Sequence, residues 1–156
     1  MIKKAFVGID PGKNGAACLL APDKIHFHDF RGGEDAALTI EKWAAQYRLF
    51  AGVEKVNSFK SDGHAFAFRF GDNFGIWKGI LYAYHISFLL VAPPTWQSVY
   101  LPGWNKKGVD NKSTSIKIAR ELYPAIEPVV YLKKHNDRAA AILLADYVKR
   151  RGRKGG

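Results

Sequence analysis

The sequence contains a single cysteine, Cys18, and so cannot form an intrachain disulfide. Cys18 falls in an apolar strand pattern, which favours a small core side chain over a reactive one. No apolar run approaches the ~20 residues that a membrane-spanning helix requires. Residues 1–4 lead directly into a strand pattern, without the apolar core or cleavage site of a signal peptide. These absences predict a reducing, cytoplasmic location and no membrane partner.

Acidic residues are the scarcer charged type. The 156 residues include 14 Asp and Glu against 24 Lys and Arg, which gives a formal net charge of +10. Such an excess suggests a polyanionic partner, most often nucleic acid, although a merely solvated basic surface is the alternative. The length and the 47% apolar content predict one domain over residues 1–150, followed by a basic flexible tail over residues 151–156.

The spacing of apolar residues predicts five strands and at least four helices. The strands are expected at residues 5–9, 16–20, 25–30, 50–53 and 87–91, and the helices at 34–47, 73–84, 111–123 and 136–150. Residues 57–70 show less regular spacing and are interpreted as a loop, with Phe66 and Phe68 anchoring it to the core. This order predicts an α/β fold with a mixed five-stranded sheet, antiparallel in its first three strands and then parallel, flanked by helices.

Three acidic residues stand at the ends of predicted elements. Asp10 ends the first strand, Glu54 ends the fourth, and Asp137 lies in the first turn of the last helix. If the first and fourth strands are neighbours, the three carboxylates converge, and their repulsion calls for divalent cations. Oxygen ligands favour Mg²⁺ or Mn²⁺, and two such ions can clamp the reacting oxygens of a phosphodiester. The simpler alternatives are a turn acid at Asp10 and a capping acid at Asp137.

Three motifs that contain these acids resemble the active-site motifs of the RuvC family of Holliday junction resolvases. They are Gly8-Ile9-Asp10-Pro11-Gly12 followed by Gly15-Ala16, Val53-Glu54, and His135-Asn136-Asp137-Arg138-Ala139-Ala140. Residues 75–79 resemble the start of the family's dimerisation helix, and residues 110–113 resemble its basic segment. The resemblance covers nearly the whole chain, and the order and spacing of the motifs are more specific than any one of them.

The resemblance implies an RNase H-like fold and a homodimer that acts on branched DNA, especially four-way junctions. It also implies that Asp10, Glu54 and Asp137 bind two Mg²⁺ ions, with Mn²⁺ as a substitute. Lys112 matches a lysine that contacts DNA near the scissile phosphate, and Lys106 and Lys107 lie in the same basic loop. Phe59 is similar in placement to an aromatic residue inserted at the junction centre. Lys60 adjoins it in a segment whose mixture of aromatic and basic residues suits stacking on bases.

Two departures from the family pattern leave details open. The family has a fourth acid, or sometimes histidine, three residues from the one that matches Asp137, but the two available positions are Lys134 and Ala140. His135 is out of register, although it is a possible auxiliary residue, as is Lys134. Trp96 stands where the family has a basic residue near a proline segment.

The leading hypothesis from the sequence is therefore a Mg²⁺-dependent endonuclease that resolves four-way junctions in a bacterial or phage-infected cytoplasm. The alternatives are an RNase H-like nuclease acting on RNA–DNA hybrid and a non-catalytic junction-binding protein, the latter because of the missing acid.

Overall fold

A computed structural model of the chain describes residues 1–55 and 63–152. Its centre is a five-stranded sheet in the order β3-β2-β1-β4-β5. The strands are β1 (Lys3–Asp10), β2 (Ala16–Leu20), β3 (Ile25–Asp29), β4 (Tyr47–Glu54) and β5 (Ser87–Val91). The first three strands pair antiparallel, and β4 pairs parallel with both β1 and β5. The predicted mixed sheet and the adjacency of the first and fourth strands are confirmed.

In the described part of the chain, five helices surround the sheet. They are α1 (Gly33–Gln46), α2 (His64–Ala83), α3 (Pro93–Tyr100), α4 (Asn111–Leu122) and α5 (Asn136–Gly152). Two short 3-10 helices, Pro124–Ile126 and Lys133–His135, lie between α4 and α5. Because α5 continues to Gly152, it includes the first two residues of the expected tail, and the division at residue 150 stays a prediction.

Each face of the sheet has its own core. On one face α1 and α2 cover β1 and β4, and the large buried side chains there include Ile40, Trp43 and Trp77. On the other face α5 lies across β1, β2 and β4, with α3 and α4 behind it. Between Ala139 and Val148 every residue of α5 is buried, because the helix is enclosed by the sheet on one side and by helices on the other.

Two glycines allow α5 to lie directly on the sheet. Gly8 of β1 and Gly52 of β4 are opposite each other in the parallel ladder. A Cβ on Gly8 would stand 1.8 Å from the Ala141 carbonyl oxygen, and one on Gly52 would stand 2.7 Å from Cγ1 of Val148. Any larger residue at either position would push the helix away from the sheet. The depth at which α5 sits, and therefore the position of its N-terminus, depends on these two residues.

The beginning of α2 differs from the sequence prediction. The sequence predicts that this helix begins near residue 73, where Asp72 and Asn73 are polar candidates for the N-cap, but it begins at His64, with Gly63 at the N-cap. Phe66 and Phe68 therefore lie on a helix rather than in a loop, and both are exposed, Phe68 by 77%. The prediction that these two phenylalanines anchor a loop to the core was wrong. Glycine offers no capping side chain, so the local pattern pointed to the polar pair further along.

Smaller differences concern two other boundaries. β4 begins at Tyr47 rather than at Phe50, so α1 and β4 are directly consecutive. α4 is capped by Asp110, whose carboxylate accepts a hydrogen bond from the Ser113 backbone N–H at 3.2 Å. Within the two described ranges, no helix combines the length and the apolar character needed to cross a membrane.

Candidate active site

Asp10 lies at the carboxyl end of β1, where the strand leaves the core. Its carboxylate oxygen Oδ1 accepts a hydrogen bond from the Gly12 N–H at 3.0 Å, which fixes the side chain inside its own turn. The turn is closed by the Gly15 N–H donating to the Gly12 carbonyl, and Gly15 adopts a positive φ of 23°. Asn73 of α2 donates to the same carbonyl at 3.4 Å. The acid is thus held from both sides in a rigid, buried position.

Glu54 ends β4 beside Asp10. Ile9 pairs with Val53 in the parallel ladder, so the two acids are the next residues of adjacent strands. The Trp96 indole N–H donates to Oε2 of Glu54 at 2.7 Å. Burial raises the pKa of Glu54, and the charge of Asp137 raises it further, whereas the Trp96 hydrogen bond opposes both effects.

Asp137 lies in the first turn of α5, the helix that packs on the face of the sheet opposite α1 and α2. The Asn136 side-chain amide donates to its Oδ1 at 3.0 Å. Burial raises the pKa of Asp137, while a hydrogen bond with Asp10 and the positive charge of Lys112 lower it. The N-terminus of a helix also favours a carboxylate, so a capping role and a site role are compatible at this residue.

The three carboxyls form one electrostatic unit. Burial raises the pKa of Asp10 well above its ordinary value, and the charges of Glu54 and then Asp137 raise it further. Such mutual repulsion among buried acids is relieved either by a shared proton or by a cation. The sequence prediction that these residues converge agrees with this arrangement, although their role in catalysis stays a prediction.

The donor chemistry of this unit fits a hard divalent cation. All three side chains offer only oxygen, which Mg²⁺ and Mn²⁺ prefer. Each carboxyl also accepts a hydrogen bond from a protein donor, namely Gly12, Trp96 or Asn136. Within residues 1–55 and 63–152, no group of three or more His, Cys, Asp or Glu side chains is arranged to hold a metal ion as it stands. The residues therefore supply suitable ligands but not a closed set.

Of the lysines predicted to bind DNA, Lys112 acts on the acids through its charge. It is at the start of α4, where its charge lowers the pKa of Asp137. An ion pair of 2.8 Å between Lys133 and Asp110 joins the start of α4 to the 3-10 helix that precedes α5. Lys106 and Lys107 are exposed on the loop between α3 and α4. This loop leads directly into α4, whose second residue is Lys112.

A polar groove of about 430 Å³ borders Asp137. Three exposed basic residues line it: Lys13, Arg31 and Lys134. One wall is a two-point ion pair, in which Arg138 Nε and Nη2 donate to the Asp29 carboxylate at 2.9 and 2.6 Å. Because that pair is internally neutral, the positive field of the groove comes from the three exposed residues.

His135 also lines this groove, but its Nδ1 is already in use. The backbone N–H groups of Tyr131 and Leu132 donate to it at 3.2 and 3.1 Å. Burial lowers the pKa of His135, and the charges of Arg138 and Lys134 lower it further. The imidazole is therefore neutral, with its proton on Nε2, and only that N–H is available to a ligand.

The remaining site positions from the sequence analysis are Phe59, Lys60 and the two positions for a fourth acid near Asp137. Phe59 and Lys60 lie outside the described residues. Of the two positions for a fourth acid, Lys134 is exposed in the groove and Ala140 is buried within α5. The sequence reasoning missed Trp96 and Asn136 as partners of the acids. Asn136 could have been found from its place beside Asp137, whereas no local pattern marks Trp96 as a partner of Glu54.

Comparison with solved structures places this architecture among known folds. The chain is similar to Thermus thermophilus RuvC in complex with a Holliday junction substrate, with a TM-score of 0.71, 14% identity, and coverage of 97% of this chain and 96% of that one. A second Thermus thermophilus RuvC structure gives a TM-score of 0.59 at 14% identity, over 95% of this chain and 96% of that one.

Comparison of the sequence alone finds no relative: no family model and no curated protein matches this chain. The similarity is thus one of three-dimensional structure, and it extends over nearly the full length of both chains. The chain has the RNase H-like α/β fold of the RuvC resolvases.

Proposed function

We propose that this protein is a homodimeric, Mg²⁺-dependent endonuclease that resolves four-way DNA junctions. The observation that carries the proposal is the convergence of Asp10, Glu54 and Asp137 at one edge of a RuvC-like sheet. Junction DNA as the substrate is supported by the similarity to a RuvC structure that contains a Holliday junction. The net charge of +10 supports a nucleic-acid partner.

Asp10, Glu54 and Asp137 would hold the divalent cations, and Mn²⁺ would substitute for Mg²⁺ at such oxygen ligands. Bound there, the cations would polarise the phosphodiester and activate a water molecule for hydrolysis. The Gly12 N–H, the Trp96 indole and the Asn136 amide orient one carboxyl each. This prior orientation matters because a ligand that is already in place loses little conformational entropy on binding.

Basic residues around Asp137 would bind the DNA backbone. Lys112 would stabilise charge that develops at the scissile phosphate. Lys106 and Lys107, on the loop before α4, would bind neighbouring phosphates. The groove with Lys13, Arg31 and Lys134 would hold the phosphates beyond the cleavage point. Phe59 and Lys60 would contact the junction itself.

Cleavage of a junction requires two symmetric cuts, which a two-fold dimer supplies with two identical sites. The exposed side of α2 is the surface proposed for this dimer. Gly75 and Gly79 lie on it with open space around them, and Phe68 and Tyr82 are exposed at either end. Small residues between exposed aromatics allow close approach and provide apolar area to bury.

The test is metal-dependent cleavage of a labelled four-way junction, compared with linear duplex and with RNA–DNA hybrid of matched sequence. We expect Mg²⁺-dependent paired cuts in the junction and much slower cleavage of the duplex. Asp10→Asn preserves shape and removes charge, so it should abolish cleavage and leave junction binding intact or tighter, since repulsion of the phosphates falls. Glu54→Gln and Asp137→Asn should behave in the same way.

Each of the other outcomes would support a different function or mechanism. Preferred cleavage of the hybrid would indicate a nuclease of the RNase H type. Tight junction binding without cleavage by the wild-type protein, in Mg²⁺ and in Mn²⁺, would indicate a binding module. Normal turnover by Asp10→Asn would remove the three acids from the mechanism.

A further inference from the structure

We propose that Trp96 is a positioning residue for Glu54, which it holds through one carboxylate oxygen so that the other is presented to the reaction. The role of Glu54 in cleavage rests on the proposed function; the contact itself does not. Trp96 stands where the resemblance led us to expect a basic residue, and the structure gives it a polar partner inside the site.

The contact is short, and its donor is buried. The indole Nε1 lies 2.7 Å from Oε2 of Glu54, at the short end of the range for hydrogen bonds to a charged acceptor. Trp96 is 2% exposed, so water does not compete for its N–H, whereas Glu54 is half-buried at the edge of the site. The indole can donate but cannot accept, so the acceptor must be the carboxylate oxygen.

The surrounding backbone fixes the direction of the indole. Val91 at the end of β5 pairs with Glu54. Pro93 and Pro94 then start α3, where their restricted φ suits the first helical turn. Trp96 follows within that same turn and packs into the core around Ile116 and Ala139. A large planar side chain with two rotatable bonds, packed on all sides, has little freedom to turn its N–H elsewhere.

A neutral donor has a specific consequence here. With Oε2 occupied by the indole, Glu54 has Oε1 left for a ligand, since no side chain among residues 1–55 and 63–152 donates a hydrogen bond to it. A lysine in this position would orient the carboxylate equally well, but it would add a positive charge that repels a cation. The indole N–H orients Glu54 and leaves its negative charge uncompensated. Trp96 therefore favours cation binding at Glu54, as partners of metal ligands commonly do.

Trp96 also contributes to the core, so the test must separate packing from hydrogen bonding. Trp96→Phe retains an aromatic ring and removes the N–H. Trp43→Phe is the matched control, because Trp43 is 3% exposed and lies in the core on the opposite face of the sheet. The chain has four tryptophans, so the indole N–H resonances of ¹⁵N-labelled protein form a small set in which Trp96 is assigned by its loss.

The spectrum of the metal-free protein tests the contact. We expect a strongly downfield Trp96 resonance that moves upfield in Glu54→Gln and shifts on addition of Mg²⁺, while the Trp43 resonance stays in place. A Trp96 resonance that is indifferent to Glu54→Gln would overturn the contact. If Trp96→Phe does not fold, the Glu54→Gln comparison still decides the question, with the Trp96 resonance assigned by elimination from phenylalanine variants of the other three tryptophans.

Mn²⁺ binding tests whether Trp96 favours cation binding at Glu54. We expect Trp96→Phe to weaken Mn²⁺ binding, measured by electron paramagnetic resonance without DNA, by about 10-fold or more, which is the lower end of the usual range for such partners. Trp43→Phe should leave Mn²⁺ binding unchanged. Equal Mn²⁺ binding by Trp96→Phe and the wild type would reduce Trp96 to a packing residue. Junction cleavage plays no part in either readout, so failure of the proposed function would be seen separately, as wild-type protein that binds Mn²⁺ and does not cut.

Discussion

The backbone of Gly8 lies against the carbonyl oxygen of Ala141, so closely that a Cβ on Gly8 would stand 1.8 Å from that oxygen. This contact joins the strand that carries Asp10 to the helix that carries Asp137. A glycine two residues before the first acid thus sets the separation of two acids that are far apart in the sequence.

Gly8→Ala should therefore affect stability and activity together. The added methyl group must displace α5, and we expect a loss of about 3 kcal/mol in the free energy of unfolding, at the upper end for overpacked cores. Junction cleavage should fall more steeply than the folded fraction, since Asp137 moves with the helix.

Gly71→Ala is the control. A Cβ at Gly71 meets open space on α2, and alanine should stabilise the helix by about 0.5–1 kcal/mol. Denaturant titration measures the stability of both variants. A Gly8→Ala variant with wild-type stability would mean that α5 is not held by this contact.

Asp146 of α5, a buried carboxylate outside the candidate site, should make stability depend on pH. Burial alone would raise its pKa, but hydrogen bonds from Tyr100, Tyr123 and Arg150 together lower it below 3.8. The stabilisation is then fully present above about pH 4 and is lost as the pH falls through the native pKa. Asp146→Asn should cost about 2–3 kcal/mol at pH 7, as expected for hydrogen bonds to a charged group.

The difference between Asp146→Asn and the wild type should shrink as the pH falls below 4, measured by denaturant titration at each pH. Glu41→Gln, an exposed change on α1, should show no such convergence. A difference that stays constant down to pH 2 would show that Asp146 contributes through shape rather than through charge.

The polar groove should contribute to the salt dependence of junction binding. A protein with a net charge of +10 should bind DNA more weakly as salt rises, because phosphate contacts release counterions. Lys134→Gln and Lys13→Gln should each reduce the slope of log affinity against log salt by about 1. Lys42→Gln, on α1 and away from the groove, should keep the wild-type slope. If all three variants show the same slope, the DNA does not follow the groove.

The exposed surface of α2 should hold the dimer together. Tyr82→Glu places a charge on this surface, and we expect sedimentation to show a shift from dimer to monomer with the fold preserved by circular dichroism. Leu38→Glu makes a comparable change at an exposed apolar residue of α1 and should leave the dimer intact. A monomeric wild-type protein, even with junction DNA present, would contradict the paired-site mechanism.

Phe59 should matter for the junction rather than for the metal. Stacking on an unpaired base is worth about 1–3 kcal/mol, and such bases are available in an opened junction but not in a linear duplex. Phe59→Ala should therefore weaken junction binding and slow cleavage, with Mn²⁺ binding unchanged. Phe66→Ala is the comparison, because Phe66 is an exposed aromatic of α2. A loss in Phe66→Ala alone would transfer the stacking role to that helix.

The sequence determined the succession of strands along the chain and the placement of the three acids at element ends. Both follow from local patterns: an apolar run that stops at Asp10 or Glu54, and a helical stripe that starts beside Asp137. The beginning of α2 could not be read in this way, since Gly63 offers no capping signal and the exposed phenylalanines mimic a core pattern.

Only the tertiary structure decided which distant side chains pair with one another. Trp96 is 42 residues from Glu54 and Arg138 is 109 residues from Asp29, and neither pairing leaves a periodic trace in the sequence. Such contacts arise because packing brings distant elements to one place. Here two facing glycines, Gly8 and Gly52, allow α5 to settle on the sheet at the depth that joins Asp137 to the strand-end acids.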